Sequence, residues 1–184
     1  MPTSYYGQIS SILDIICQVG PASVLDIGVG FGKYGMLCRE LLDIPSERYA
    51  KETWKARIDG IEGYAGYRNP IHDFVYDKIY YGNAKDVLKE TDVIYDLALM
   101  IDILEHFERD EGEQFLGEVL QKCRALLISV PAIPTSQTYL DNALEAHKCA
   151  WEAKDFLNYE VLISGILPMG QNNANIIVLL KGRA

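Results

Sequence analysis

Asp102, Glu105, His106 and His147 are the side chains in this sequence best equipped for chemistry. In Asp102-Ile103-Leu104-Glu105-His106, positions i, i+3 and i+4 share one face of a helical turn, so two carboxylates and an imidazole can converge. Two carboxylates and two imidazoles, with His147 joining from a later segment, suit a divalent ion such as Mg²⁺, Mn²⁺ or Zn²⁺. The same residues admit a second arrangement. Asp102-x-x-Glu105 is also a capping-box pattern, in which the two acids satisfy free backbone N–H groups at a helix start. His106 would then serve as a general base without metal, with Glu105 beside it, or as a hydrogen-bonded structural residue. The third of the three histidines, His72, stands between Pro70 and Phe74 with no partner evident in the sequence, and is expected to be structural.

A second set of residues is built for binding. In Val24-Leu25-Asp26-Ile27-Gly28-Val29-Gly30-Phe31-Gly32 an apolar run feeds a glycine turn that opens onto a helical pattern. Gly28, Gly30 and Gly32 leave the backbone bare for a ligand's approach and tolerate positive φ. Gly30-Phe31-Gly32-Lys33-Tyr34-Gly35 also satisfies the G-x-G-x-x-G dinucleotide pattern, but that fingerprint expects its acid about 20 residues further on. The best-placed acid, Glu62 in Asp59-Gly60-Ile61-Glu62, lies well beyond that point. Gly82-Asn83-Ala84-Lys85-Asp86 follows a third apolar run, and the amide of Asn83 can both donate and accept.

The elements that must position these residues are legible from periodicity. Tyr5 to Val19 carries Ile9, Ile12, Leu13 and Ile16 at helical spacing. Further helical patterns cover Tyr34 to Leu42, Ala84 to Lys89 and Gly112 to Cys123. Strands are expected at Ser23 to Ile27, Arg57 to Glu62, Asp77 to Tyr81, Tyr95 to Ile101 and Ala125 to Val130. Strands alternating with helices predict a parallel sheet covered on both faces. The tail breaks the rhythm. Tyr159 to Ile166 and Asn175 to Leu180 are separated only by a turn containing Pro168, Gly170, Asn172 and Asn173, so they should pair antiparallel as a hairpin.

Five alternating strands, a terminal hairpin and these motifs resemble class I S-adenosylmethionine-dependent methyltransferases. The likeness rests on motifs from about Ser23 to Val130, and on strand order alone through the tail. It implies an α/β fold, a Rossmann-like sandwich around a mostly parallel seven-stranded sheet, occupying residues 1–184 as a single domain. It also implies cofactor-binding roles. Asp26 would help hold the methionine end of S-adenosylmethionine, with Gly28, Gly30 and Gly32 as its cradle. Glu62 would accept both ribose hydroxyls, Asn83 and Ala84 would contact adenine, and Asp102 would flank the sulfonium. Asn83 stands where the family often has aspartate. Asp102-x-x-Glu105-His106 is similar to a motif of ubiquinone-pathway O-methyltransferases and small-RNA 2′-O-methyltransferases. His147-Lys148-Cys149-Ala150-Trp151 with Phe156 resembles a segment of the latter, whose histidine completes a metal site.

The chemistry implied is a direct displacement in which an acceptor atom attacks the cofactor's methyl group. Alignment should carry much of the acceleration, and a hydroxyl acceptor would need a base or a metal to take its proton. The Asn-Pro-Pro-aromatic segment of many amino-methylating enzymes is absent after the fourth strand, which points to oxygen on a small molecule. Ribose 2′-O-methylation of RNA, nicotinamide-dependent reduction and a non-catalytic cofactor-binding module are the alternatives. The acceptor pocket is expected from Met1 to Val19, Glu105 to Asp110 and Pro131 to Trp151, with Tyr5, Tyr6, Tyr139 and Trp151 as aromatics that either line it or pack the core.

Composition agrees with a globular domain. The 184 residues are 49% hydrophobic and 23% charged, an ordinary mix for a chain long enough to bury a core. A net charge of −9 works against generic binding to nucleic acid. No apolar run approaches the roughly 20 residues of a membrane span, and the N-terminus lacks the basic start of a signal peptide. Cys17, Cys38, Cys123 and Cys149 are widely spaced, as expected of free thiols in a reducing cytoplasm.

Overall fold

The computed structural model describes residues 3–134, 142–169 and 173–184. Seven strands make one sheet: β1 (Ser23–Ile27), β2 (Arg57–Glu62), β3 (Lys78–Tyr81), β4 (Tyr95–Ile101), β5 (Cys123–Pro131), β6 (Val161–Pro168) and β7 (Ala174–Lys181). Their order is β3-β2-β1-β4-β5-β7-β6. β1 to β5 pair in parallel, and β7 runs antiparallel between β5 and β6. This is the mostly parallel seven-stranded sheet with a terminal antiparallel pair that the sequence predicts. Pro168 ends β6 and Asn173 precedes β7, while Gly170 and Asn172 lie outside the described residues.

Helices α1 (Ile9–Val19), α2 (Lys33–Leu42), α3 (Pro70–Val75), α4 (Ala84–Glu90) and α5 (Arg109–Leu120) accompany the strands. On one side of the sheet Leu25, Met100, Leu126 and Val178 pack with Phe115 and Val119 of α5 and with Trp151 and Phe156. On the other, Val24, Leu97, Leu99 and Leu127 pack with Ile12 and Ile16 of α1 and with Tyr34 and Cys38 of α2. Strands buried on both faces read as continuous apolar runs, and each fully buried Leu or Ile contributes about 1.5–3 kcal/mol.

Several boundaries move for local reasons. Residues Tyr6–Gln8 form a 3₁₀ turn, so α1 starts at Ile9 instead of Tyr5. At its other end Gly20, at φ 57°, donates its N–H to Ile16 O at 2.9 Å, the left-handed cap that ends many helices. The helix expected over Gly112 to Cys123 starts earlier, with Asp110 and Glu111 in its first turn, and stops at Leu120 because Cys123 is paired with Tyr95 in the β4–β5 ladder. Asp77 falls outside β3. Its carboxylate accepts from the Ile58 N–H at 2.7 Å and from Arg39 at 2.7 Å.

The short helix α3 has no counterpart in the periodicity reading. Asn69 caps it by accepting the Ile71 N–H at 2.9 Å, and Pro70 occupies its first turn. Arg39 Nε holds its end by donating to Val75 O at 2.9 Å. All four cysteines are free, with Cys38 and Cys123 buried and Cys17 exposed. Among the described residues no helix is long and apolar enough to cross a membrane.

Candidate functional site

β1 lies between β2 and β4, so successive connections leave it on opposite sides and open a crevice beyond the carboxyl ends of the strands. A cavity of about 560 Å³ occupies it. Gly28, Gly30, Glu62, Asn83, Ala84, Asp102, Glu105, His106 and His147 all line it. Of the cofactor-binding residues nominated from sequence, Asp26 and Gly32 do not line it.

The glycine turn runs through left-handed backbone, with φ of 82° at Gly28, 54° at Gly30 and 92° at Gly32. Such angles strain any side chain. A Cβ at Gly28 would collide with Ile103 Cδ1, and one at Gly32 would sit 2.9 Å from Ile71 Cγ2. Gly28 therefore admits Ile103 against the turn, and Gly32 admits α3. Glu62, 5% exposed at the end of β2, accepts the Gly30 N–H on Oε2 at 2.8 Å and the Tyr64 N–H on Oε1 at 2.7 Å. Burial raises its carboxyl above the usual range, against the two N–H groups. A carboxylate has about four lone-pair sites, so two remain for a ligand.

Asp26, expected to help hold the methionine end of the cofactor, does not itself line the cavity. It is 3% exposed, and its Oδ2 accepts from the Tyr76 hydroxyl at 2.6 Å. Burial pushes its carboxyl up to about 6, with the Tyr76 bond opposing. Asn83 caps α4 by accepting the Lys85 N–H at 2.9 Å on Oδ1, which directs the amide's donor end elsewhere.

Glu105, His106 and His147 each offer one ligand atom within 4.8 Å of the others. Glu105 and His106 sit in a 3₁₀ turn, Leu104–His106, after β4. His147 arrives on an extended segment bound to that turn: Lys148 and Cys149 donate their N–H groups to Glu105 O at 2.8 and 3.2 Å. Trp151 anchors the segment, 1% exposed, with Nε1 donating to Leu104 O at 3.2 Å and its ring stacked on Phe156 at 5.8 Å. The His106 and His147 ring centres are 4.9 Å apart, and His147 Nε2 stands 4.0 Å from Glu105 Oε1.

The protonation states follow from the surroundings. Glu105 is 1% exposed. Burial, then the Asp102 charge, raises its carboxyl well above the ordinary value. Its Oε2 has no hydrogen-bond partner among the described residues. Burial lowers the His106 imidazole. Its Nδ1 faces Ala146 O at 3.2 Å; a carbonyl only accepts, so Nδ1 carries the proton and Nε2 keeps its lone pair.

Asp102 does not join this group. Its carboxylate accepts from Gln8 Nε2 at 2.8 Å, from Ser129 Oγ at 3.0 Å and from Asn175 Nδ2 at 3.4 Å. Gln8 Oε1 in turn accepts from Asn175 Nδ2 and lies within hydrogen-bond reach of Ser129 Oγ, which shares its one proton between Gln8 and Asp102. Gln8, Ser129 and Asn175 are fully buried, and burial raises the Asp102 carboxyl. The four-ligand arrangement is thus a three-residue one, with Asp102 at φ 55° turned toward the polar cluster. Nor does a capping box form, since Ile103 holds the N-cap position with no side-chain cap.

No protein-family model matches the chain, and no curated protein sequence matches it. Solved structures do. The methyltransferase domain of bacterial CtHen1 matches with a TM-score of 0.61 at 12% identity, over 95% of this chain and 97% of that one. Magnesium protoporphyrin IX methyltransferase from Synechocystis PCC 6803, with bound SAM, matches at 0.59 and 13%, over 95% and 78%. An rRNA methylase from Escherichia coli matches at 0.57 and 18%, over 96% and 64%. The chain has the Rossmann-like methyltransferase fold.

Within this methyltransferase fold all three segments expected to build the acceptor wall reach the cavity, through Tyr5, through Glu105 to Phe107, and through Pro131, Leu144 and Lys148 among others, while the expected aromatics divide. Tyr5 lines the cavity. Tyr6 is 75% exposed and Trp151 belongs to the core; Tyr139 lies outside the described residues. Residues not foreseen also contribute. Gln8 fixes Asp102, and Lys33 Nζ donates to Ser4 O at 2.6 Å, holding the N-terminal segment beside the turn. Tyr67, in the cavity wall, donates to Glu145 Oε1 at 2.8 Å. His72 is 1% exposed and does have partners, Gly30 O at 2.8 Å and the Tyr81 hydroxyl at 2.9 Å. The sequence signal for it was Asn69-Pro70, an N-cap followed by an N1 proline.

Proposed function

We propose that the chain is an S-adenosylmethionine-dependent methyltransferase acting on a hydroxyl oxygen of a small molecule. One arrangement carries this reading: the glycine turn bound to Glu62 and the Glu105–His106–His147 group line the same cavity. When bound, the cofactor supplies an electrophilic methyl group on a sulfonium that leaves without acid assistance. Gly28 and Gly30 let it approach the backbone. Glu62, oriented by two N–H groups, accepts the ribose hydroxyls, and the donor end of the Asn83 amide meets adenine beside Ala84. Asp26, bonded to the buried Tyr76, and Gly32, packed against Ile71 of α3, support the turn from outside the cavity. His106, neutral with its Nε2 lone pair available, takes the hydroxyl proton.

The residues also fit a divalent ion. One carboxylate with an unpartnered oxygen and two imidazoles are donors that zinc, manganese or iron accept. Ligands sit about 2.0–2.2 Å from such an ion, so atoms within 4.8 Å of one another need a modest inward rotation. Glu105, His106 and His147 would hold it, and it would polarise the acceptor oxygen in place of base catalysis by His106, whose Nε2 lone pair it would occupy.

A small-molecule acceptor is supported by the −9 net charge, by acidic lining residues that include Glu111 and Glu145, and by the porphyrin methyltransferase among the similar structures. The three-residue donor group and the rRNA methylase favour a second reading, metal-assisted 2′-O-methylation of RNA ribose. The four free cysteines suit a reducing cytoplasm. Calorimetric titration tests the core of the proposal: S-adenosylhomocysteine should bind in the micromolar range and a nicotinamide dinucleotide should not. Methyl transfer from labelled cofactor to hydroxyl acceptors and to a short RNA, with and without Mn²⁺, separates the two acceptors and a non-catalytic module. Absence of S-adenosylhomocysteine binding overturns the assignment.

A further inference from the structure

We infer that His72 is a positioning residue that clamps the glycine turn and ties it to the end of β3, within the cofactor site as read above. Gly30 is held from both sides of its residue. Its N–H goes to Glu62 Oε2 at 2.8 Å, and its carbonyl faces His72 Nε2 at 2.8 Å. A carbonyl oxygen only accepts, so Nε2 carries the proton and Nδ1 accepts from the Tyr81 hydroxyl at 2.9 Å. Both ring nitrogens are thereby committed and one tautomer is selected.

The position of the two partners gives the clamp its reach. Gly30 belongs to the turn after β1, and Tyr81 is the last residue of β3, two residues before Asn83. One buried imidazole thus bridges the segment proposed to approach the ribose and the segment proposed to meet adenine. α3 presses on the turn at a second point, where Ile71 meets Gly32. From the same connection Tyr76 reaches Asp26. Nothing polar is left over at His72 for another task, and burial keeps it neutral, so the ring serves as a fixed donor–acceptor pair.

The test compares wild type with His72→Phe, which keeps a ring but removes the donor, and His72→Gln, whose amide N–H can still reach a carbonyl. Affinity for S-adenosylhomocysteine is measured by calorimetry, and backbone amide exchange over residues 28–32 is followed in the ligand-free protein. His72→Phe should bind about tenfold more weakly, the upper range for one hydrogen bond, and exchange faster at Gly30. His72→Gln should recover most of both. Equal affinity and equal exchange in wild type and His72→Phe overturn the clamp. Should His72→Phe not fold, ring ¹⁵N shifts of wild type decide: a proton on Nε2 is expected, and one on Nδ1 overturns it. If wild type fails to bind S-adenosylhomocysteine, the cofactor reading falls, and exchange and ring shifts still judge the clamp by themselves.

Discussion

The backbone N–H of Gly30 donates to Glu62 Oε2 across 2.8 Å, joining the turn after β1 to the acid that ends β2. The group proposed to receive the ribose is therefore part of the turn that admits it. Glu62→Ala removes a charged acceptor from both the ligand and the turn. Affinity for S-adenosylhomocysteine should drop about tenfold to a hundredfold, the equivalent of about 1.5–3 kcal/mol for a charge-assisted bond. Calorimetry on the folded variant checks this, and wild-type binding would remove the ribose assignment.

Asp26 links the site to pH. Its carboxyl is pushed up to about 6 by burial, from an ordinary value near 4. A folded state that binds the proton more tightly than the unfolded state gains stability at low pH and loses it as pH rises through the folded value. Asp26 should thus weaken the fold progressively between about pH 4 and 6, by on the order of 3 kcal/mol in all. Urea unfolding of wild type and Asp26→Asn across that range isolates the effect. Relative to the Asn variant, wild type should lose stability with rising pH; a flat difference would contradict the burial argument.

Gln8 is the keystone of the polar cluster around Asp102. Gln8→Ala leaves Asp102 Oδ2 without its 2.8 Å donor and removes one acceptor from Ser129 and Asn175, which keep their longer bonds to Asp102 Oδ1. Buried groups stripped of partners cost about 1–3 kcal/mol each, so a loss on the order of 2–3 kcal/mol is expected, read as a lower urea midpoint. A change below about 0.5 kcal/mol, the size of an ordinary surface substitution, would mean that the N-terminal segment does not dock through Gln8.

Cobalt(II) is a convenient probe for the donor group. It should bind at Glu105, His106 and His147 with visible ligand-field absorption of a low-symmetry site. His147→Ala should weaken it at least about tenfold, since even residues supporting metal ligands contribute about 10–100-fold. His72→Gln should leave it unchanged. Titrations indistinguishable between wild type and His147→Ala would rule this group out as a metal site.

Gly28→Ala places a Cβ at φ 82°, against Ile103. Left-handed backbone alone costs a side chain about 1–2 kcal/mol. The variant should melt at a lower temperature and lose S-adenosylhomocysteine binding together, measured by thermal shift with and without ligand. Full retention of the ligand-induced shift would show that the cofactor does not approach this backbone.

Apolar periodicity was enough to place most strands, their parallel pairing and the terminal hairpin, because central strands such as β4 and β5 are nearly continuous apolar runs and a two-strand tail without a helix must turn back on itself. The seven-stranded sheet was implied by the resemblance. Periodicity and glycine chemistry also located the turn at Gly28–Gly32 and the acid at Glu62, whose roles depend on local backbone conformation and strand ends. What lay beyond them was every relation that side-chain direction decides. Asp102 reads from spacing as a neighbour of Glu105 and His106, yet its left-handed backbone turns it toward Gln8, Ser129 and Asn175, each remote in sequence. Asp26 bonds the Tyr76 hydroxyl instead of lining the cavity, because alternation along β1 sends its side chain to the face of Val24 and Tyr76, opposite Leu25 and Ile27. His147 is brought to Glu105 by Trp151 and Phe156, whose burial fixes the strap between them. His72 acquires its function only from the fold, since a lone histidine on a six-residue helix carries no periodic signal, and its partners Gly30 and Tyr81 meet only when β1 and β3 lie in one sheet.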